Sequence, residues 1–320
     1  MNEPDDLLKY FTGKAEAEIC EGGEFELDKL YENCSKNPGH AGFIPVEELT
    51  LDHLPPRYRD DDLLEIVRCI STLTALLIGK YSSERRPQFL PKTREAYPGF
   101  ESRGDYSLKT GTGRVRRVQR YSEREKQKLV CNCDECRFSE NPKTPVGKLE
   151  IQTATHVVFD QSELERTTCV FFYDKGQSST VKLRGQRIVS VMTLGDWCRF
   201  SCLTCDVSFF DKIYKTWKKF DDLLEIINDK YDEFVDEDRL AIIVSHPHGK
   251  QKQVSIGQWH KALNEADSVH SKYSYYTCTC PGSSGAYVYM VGERFTTYCH
   301  VHSCTSQLGS YSSEGGLGAA

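Results

Sequence analysis

Thr153-Ala154-Thr155-His156-Val157-Val158-Phe159, at the end of a β-prone run that starts at Leu149, sets the reading of this chain. A histidine here closes one strand and opens a second apolar stretch. Outward from it, short β-rich runs recur at 168–173, 180–183, 188–193, 207–210, 241–245, 253–256, 286–291 and 295–301. Gly, Pro, Asp, Asn and Ser cluster between many of them. Short strands parted by turns predict a mostly β sandwich or barrel from about residue 105 onward.

A lone histidine is usually a packed or surface residue. This one gains meaning from Cys280-Pro281-Gly282-Ser283-Ser284-Gly285-Ala286. A nucleophilic serine needs a tight Gly-rich turn that exposes Oγ and aims consecutive backbone N–H groups at one point. Gly282, lacking Cβ, can turn its N–H inward. The amides of Gly282 and Ser284 would then form an oxyanion hole. Alone, a Gly-Ser-Ser-Gly string is more often an ordinary loop.

In chain order, five strings resemble those of chymotrypsin-like serine proteases of the PA clan, closest in form to Deg-type (HtrA-like) protease domains. Thr153-Ala-Thr-His-Val-Val158 resembles their "Thr-Ala-Ala-His" and "His-Val-Val" forms. The Cys280–Ala286 string is similar to "Pro-Gly-x-Ser-Gly-Gly". Asp206-Val207-Ser208-Phe209-Phe210 resembles the "Asp-Ile-Ala-Leu-Leu" strand that carries the acid. Gly111-Thr112-Gly113 resembles the first-strand "Gly-Ser-Gly". Ser245-His246-Pro247-His248-Gly249 with Val254-Ser255-Ile256-Gly257 resembles "Gly-x-Pro-x-Gly…Val-x-x-Gly". The resemblance covers about 105–305. It implies two antiparallel six-stranded β-barrels with the active site between them. It also implies a serine endopeptidase acting through an acyl-enzyme, with Ser284 as nucleophile, His156 as base and Asp206 orienting the base. The order His…Asp…Ser fits, with 50 residues from His156 to Asp206 and 78 from Asp206 to Ser284. Asp196 is the rival acid. It is followed by Trp-Cys-Arg instead of an apolar strand and reads as a turn residue.

Ala286 stands where the family commonly has a second glycine, and the sequence predicts no peptide-binding domain of the Deg type after the protease region. By the family pattern, Cys278 lies at the base of the pocket for the side chain preceding the cut. His300 and His302 lie on its wall. A non-acidic base argues against Lys or Arg, and wall histidines suit an acidic or amide side chain.

The remaining sequence surrounds this domain, expected over 91–308. Residues 1–90 read as a helical N-terminal region, with Leu63, Ile66, Val67, Ile70, Leu73 and Leu77 on one face and Asp60–Asp62 leading in. An inserted helix carries Ile213, Trp217, Phe220, Leu224, Ile227, Tyr231 and Phe234 at four–three spacing. The Gly/Ser-rich 309–320 reads as a disordered tail. A net charge of −6 argues against a nucleic-acid partner. The run Arg114-Val-Arg-Arg-Val-Gln-Arg120 reads as a solvated strand face. No signal-like or membrane-spanning stretch is seen, so a cytoplasmic protein acting on protein or peptide substrates, away from membranes, is expected.

Fourteen cysteines then read as buried thiols or metal ligands more than disulfides. No cofactor is required by the expected chemistry. Cys131, Cys133 and Cys136 could hold a structural zinc with Cys169, Cys198, Cys202 or Cys205. Two other functions fit the residues: a catalytically inactive homologue used for binding, and a zinc-stabilised Cys-rich interaction module.

Overall fold

The computed structural model describes residues 14–20, 23–90, 94–175, 180–231, 239–264, 270–293, 300–306, 309–312 and 315–316. Its strands are β1 (Lys14–Ala15), β2 (Glu18–Cys20), β3 (Ile44–Pro45), β4 (Thr74–Gly79), β5 (Leu108–Arg120), β6 (Gly147–Thr153), β7 (Thr167–Phe171) and β8 (Val181–Met192). They continue as β9 (Trp197–Thr204), β10 (Leu240–Ser245), β11 (Gln253–Asn264), β12 (His270–Tyr275), β13 (Val288–Met290), β14 (His302–Ser306), β15 (Gly309–Ser312) and β16 (Gly315–Gly316).

Strands β5, β4, β7, β8, β9 and β6 pair antiparallel in that order, and β6 returns to β5. The result is the expected closed six-stranded barrel, which leaves no free edge within the ring. Leu77, Val115, Leu149, Ile151, Phe171 and Phe200 are fully buried within the core. Strand β2 adds to β5 from outside the ring.

The second sheet runs β1-β14-β15-β12-β11-β10-β13, with β3 on β11 and β16 on β12. The β13 segment meets the start of β14 through Val288 N–H to the His300 carbonyl (2.9 Å) and His302 N–H to the Ala286 carbonyl (2.7 Å). Unlike the first barrel, this sheet has no ladder joining its two end strands among the described residues. The period of two in β10 sends Leu240, Ile242 and Val244 into the core shared with the first barrel, and Ala241 and Ile243 into a separate cluster with Trp259, Tyr273 and Tyr275.

The helix Asp61–Leu73 packs on the helix Val207–Tyr231. Leu63, Ile66, Ile70 and Leu73 meet the same core as Ile213, Phe220 and Ile227. Asp60 caps the first helix, accepting from the amides of Asp62 (2.7 Å) and Leu63 (3.1 Å). Its other oxygen pairs with Lys230 and accepts from the Tyr231 hydroxyl at 3.3 Å. The expected helix position Phe234 lies outside the described residues.

Three expectations change. The run 74–79, inside the expected helical N-terminal region, is a strand of the first barrel, because the helix ends at Leu73 and the β-branched and apolar run beyond it pairs with β5 and β7. Residues 207–210, expected as a strand, open the long helix. Its seven-turn apolar stripe outweighs a four-residue β preference. Within the expected disordered tail, Gly309–Ser312 is a strand paired with β14 and β12.

Under the first barrel, Arg86 and Lys109 meet the Glu163 carboxylate, all three nearly inaccessible. Burial alone would raise the Glu163 carboxyl. The Arg86 hydrogen bonds and the two cationic charges outweigh it and hold it at about 2. Its stabilising contribution is therefore complete above the ordinary carboxylate value of 4.5 and is lost as pH falls toward 2. Glu163→Gln leaves the buried Arg86 guanidinium without its carboxylate and should cost about 3–5 kcal/mol, read as a lower urea midpoint at pH 7.

Candidate active site

His156 lies in the turn after β6, which the barrel ladder delivers to the boundary between the two sheets. Arg86 fixes this turn by donating to the His156 carbonyl at 3.0 Å. The His156 ring meets Asp196: Nδ1 to Oδ2 is 2.8 Å, and the His156 backbone N–H donates to Oδ1 at 3.1 Å. Ser303 Oγ donates to the same Asp196 Oδ2 at 2.5 Å, which ties the second sheet to this pair. Burial would raise the Asp196 carboxyl, but the His156 charge and these donors keep it below the ordinary carboxylate range. An ionised carboxylate on Nδ1–H fixes the tautomer that leaves Nε2 as a base. His156 Nε2 is buried and has no hydrogen bond among the described residues.

Asp206, the expected acid, is placed elsewhere. Its carboxylate accepts from the Phe209 amide at 2.9 Å and caps the helix Val207–Tyr231. The acid beside His156 is the rival, Asp196, in the turn between β8 and β9. Its φ of 54° is a left-handed conformation that Asp tolerates better than most residues. The turn that seemed to disqualify Asp196 is what aims it. The cue available in sequence was Gly195-Asp196 between two strands, the second of which, β9, is masked by its cysteines.

Ser284 sits on the expected tight loop. Gly282 has φ 91° and Gly285 φ 84°. A Cβ on Gly282 would lie 2.6 Å from the His246 carbonyl oxygen. One on Gly285 would lie 2.1 Å from Thr153 Oγ1 and 2.9 Å from Ala154 N. The serine loop thus packs at Gly282 against the segment at His246 and at Gly285 against the strand end that leads to His156. Thr112, of the Gly-Thr-Gly string, is the clamp. Its N–H donates to the Ser284 carbonyl (2.8 Å), its Oγ1 to the Gly282 carbonyl (2.8 Å), and its own carbonyl accepts from Thr153 Oγ1 (2.7 Å). Across the loop, the His248 amide donates to the Pro281 carbonyl at 2.6 Å. Among the described residues, the Gly282 and Ser284 amides donate no hydrogen bond, as an oxyanion hole requires.

Ser284 Oγ donates to the Glu16 carbonyl at 2.7 Å and makes no hydrogen bond to His156 in this structure. The Glu16 side chain enters a buried pocket beside the serine loop. Its Oε2 accepts from His302 Nε2 at 2.7 Å and from Thr279 Oγ1 at 2.9 Å, and Oε1 pairs with Lys36. On the far side of the ring, His302 Nδ1 meets the Tyr275 hydroxyl at 2.6 Å. Tyr275 O–H donating to Nδ1 leaves Nε2–H for the carboxylate, so neutral His302 binds it without a second proton. Burial lowers the His302 pKa, and Glu16 opposes that only in part. For Glu16 itself, burial would raise the carboxyl, while His302 and Lys36 hold it at about 2.

Of the three pocket residues expected from sequence, His302 is in contact with the bound carboxylate. His300 instead packs edge-on against Tyr273, 4.7 Å between ring centres. Cys278 lies against Gly42, where an added Cβ would come within 2.5 Å of its sulfur. Thr279 supplies the contact assigned to its neighbour. Sequence reading missed Thr279, Tyr275, Lys36 and Ser303, none of which belongs to a spaced motif.

Two clusters have metal-ligating geometry. Cys131, Cys133, Cys136 and Cys205 bring four sulfurs within 4.8 Å of one another. Cys205 is thus the fourth member, 3.8 Å from Cys133 and 3.7 Å from Cys136. Zn–S bonds near 2.3 Å in a tetrahedron give sulfur–sulfur edges of about 3.8 Å. The second cluster, not read from sequence, is Cys34, His40, His248 and Cys280, all buried. Cys34 and Cys280 sulfurs are 3.6 Å apart, and the Nε2 atoms of both histidines are buried without a hydrogen bond. Glu18 holds His248 Nδ1 at 2.6 Å, the outer contact that orients a ligating imidazole. His40 (φ 53°) and His248 (φ 51°) are both left-handed, strain of the kind found at functional sites. All cysteines among the described residues are free thiols.

No family profile matches the chain, and no curated protein matches it. Among solved structures it is similar to Deg5, at 11% identity and TM-score 0.41, covering 81% of this chain and 90% of that one. It is also similar to AL20, a thermostable serine protease from an extremophilic microorganism, at 10% identity and TM-score 0.36, covering 78% and 93%. A third is the HtrA-type protease AlgW with a tripeptide, at 9% identity and TM-score 0.38, covering 78% of this chain and 58% of AlgW. Among the described residues, no helix is long and apolar enough to cross a membrane.

Proposed function

We propose that this protein is a serine endopeptidase that cuts after acidic side chains, with Ser284, His156 and Asp196 as its catalytic residues. The observation that carries the reading is His156, held at Nδ1 by Asp196 and bare at Nε2, on the segment against which the positive-φ glycine turn of Ser284 packs at Thr153 and Ala154. In the reaction, Ser284 Oγ attacks the scissile carbonyl carbon while its proton passes to His156 Nε2. The Gly282 and Ser284 amides receive the oxyanion. His156 returns the proton to the leaving amine, and water then releases the acyl group. Asp196 stays ionised and stabilises the imidazolium.

The acidic preference rests on the pocket that takes Glu16, whose donors are His302, Thr279 and Lys36. Hydrogen bonds to a charged partner are worth about 1.5–3 kcal/mol. His302→Ala should therefore lower kcat/KM for a peptide with Glu before the cut by about 10- to 100-fold, and leave hydrolysis of an Ala-containing peptide far less affected.

Fluorophosphonate labelling tests the reading. Label on Ser284 that is lost in His156→Ala, together with cleavage of Glu-containing peptides, supports it. A native, folded protein that neither takes label nor cleaves any member of a randomised peptide library would instead be a binding homologue. A preference for Lys or Arg would overturn the pocket assignment.

We further infer that both cysteine-containing clusters hold structural zinc. The sulfur–sulfur separations, the four donors in each local group (all buried around Cys34, two of four buried around Cys131) and the two bare Nε2 atoms support this. The ions would brace loops, since each would have four protein ligands and no position left for substrate.

A further inference from the structure

Residues 14–20 cross from one sheet to the other through the active site. Upstream, β1 pairs antiparallel with β14, Lys14 opposite Thr305 and Ala15 opposite Cys304. Downstream, β2 pairs antiparallel with β5, Glu18 opposite Thr110, Ile19 opposite Lys109 and Cys20 opposite Leu108. Main-chain ladders of this kind are how an extended peptide is held by a sheet edge, with alternate side chains supplying the selectivity. Between the two ladders lie Glu16 and Ala17. The Glu16 side chain fills the His302–Thr279–Lys36 pocket, and its carbonyl accepts from the nucleophile hydroxyl.

We propose that the Glu16–Ala17 peptide bond is a substrate of this same chain, cut in cis by Ser284. The inference rests on the endopeptidase reading above and names its first substrate. A bond forms from Ser284 Oγ to the Glu16 carbonyl carbon, and the hydroxyl proton moves to His156 Nε2. For this, the Glu16 carbonyl swings from the hydroxyl toward the Gly282 and Ser284 amides. The Glu16–Ala17 C–N bond breaks as the Ala17 nitrogen takes the proton from His156 and leaves as an amine. Solvent water then adds to the Glu16 ester, which restores the serine hydroxyl and leaves a carboxylate on Glu16.

The two sides of the cut are held unequally. Upstream, among the described residues, the contacts are the two-residue β1 ladder and the Glu16 side chain. Downstream, β2 stays in the three-residue ladder with β5, and Glu18 is tied to His248. Cleavage therefore frees the substrate cleft without undoing the fold, and activity toward other peptides should rise as cleavage proceeds.

The test uses the full chain with a C-terminal tag, followed by intact mass and N-terminal sequencing. The expected result is loss of residues 1–16 and a new N-terminus at Ala17, at a rate unchanged by roughly 100-fold dilution. Ser284→Ala should stay intact. Glu16→Lys, which puts a cation against Lys36 and His302, should slow the cut by at least about 100-fold. An enzyme that labels with fluorophosphonate and cleaves Glu-containing peptides while its own 16–17 bond persists would overturn this inference and leave the endopeptidase reading standing. Cleavage that slows on dilution, that occurs at another bond, or that survives in Ser284→Ala would also overturn it. Failure of labelling, peptide cleavage and self-cleavage together would remove both.

Discussion

Asp196→Asn is expected to lower kcat by about 10⁴-fold, with Asp206→Ala leaving kcat unchanged and costing about 1 kcal/mol of stability. The two carboxylates do different physical work. Asp196 accepts from the His156 ring and backbone, so its charge decides which imidazole nitrogen carries the proton. Asn at 196 can present its NH₂ to Nδ1, which selects the tautomer whose Nε2 already carries a proton. The base is then lost although the fold remains. Asp206 accepts from the Phe209 amide at the head of a helix, and its removal exposes one helical donor. Steady-state kinetics and urea melts of the two variants separate these outcomes. A larger kcat loss for Asp206→Ala than for Asp196→Asn would remove Asp196 from the triad.

Zinc removal is expected to produce the next largest effect. Elemental analysis of the purified chain should find about two zinc ions, and a strong chelator should lower stability by at least about 5 kcal/mol, or about 10–20 °C in Tm. The two sites should differ in what they control. Cys280 is four residues before Ser284, and His248 donates its amide to the Pro281 carbonyl of the same loop. Loss of the Cys34–His40–His248–Cys280 site should therefore reduce activity as well as stability. Cys133→Ser, in a cluster joined through Cys205 to the start of the long helix, should lower Tm with little change in kcat for the molecules that remain folded. Absence of stoichiometric metal, with Tm indifferent to chelator, would overturn both sites.

These expectations show where local sequence was informative. His156 and Ser284 sit in short strings whose chemistry is local, because a nucleophile turn needs its glycines within two residues of the serine. Thr112, in a Gly-Thr-Gly string, was read as part of a strand, and its three hydrogen bonds into the serine and histidine segments became visible only in the fold. The acid was harder. Asp206 had the apolar neighbours of a strand residue, yet the apolar stripe running on to Tyr231 turned those neighbours into a helix. Asp196 reads as a simple turn residue, and the hairpin β8–β9 brings that turn within hydrogen-bond distance of the His156 ring.

The sequence alone determined the mostly β character, the two helices, the candidate nucleophile Ser284, the candidate base His156 and the cluster of Cys131, Cys133 and Cys136, because each is written in residues near one another along the chain. Tertiary structure decided which carboxylate meets His156, the side chains that grip Glu16, the second group of candidate metal ligands and the path of residues 14–20. Those depend on partners up to 286 residues apart, as in the contact between Glu16 and His302. No spacing rule reaches that far: such pairs are set by how the barrel closes and how the second sheet docks, which bring distant chain segments within hydrogen-bond distance.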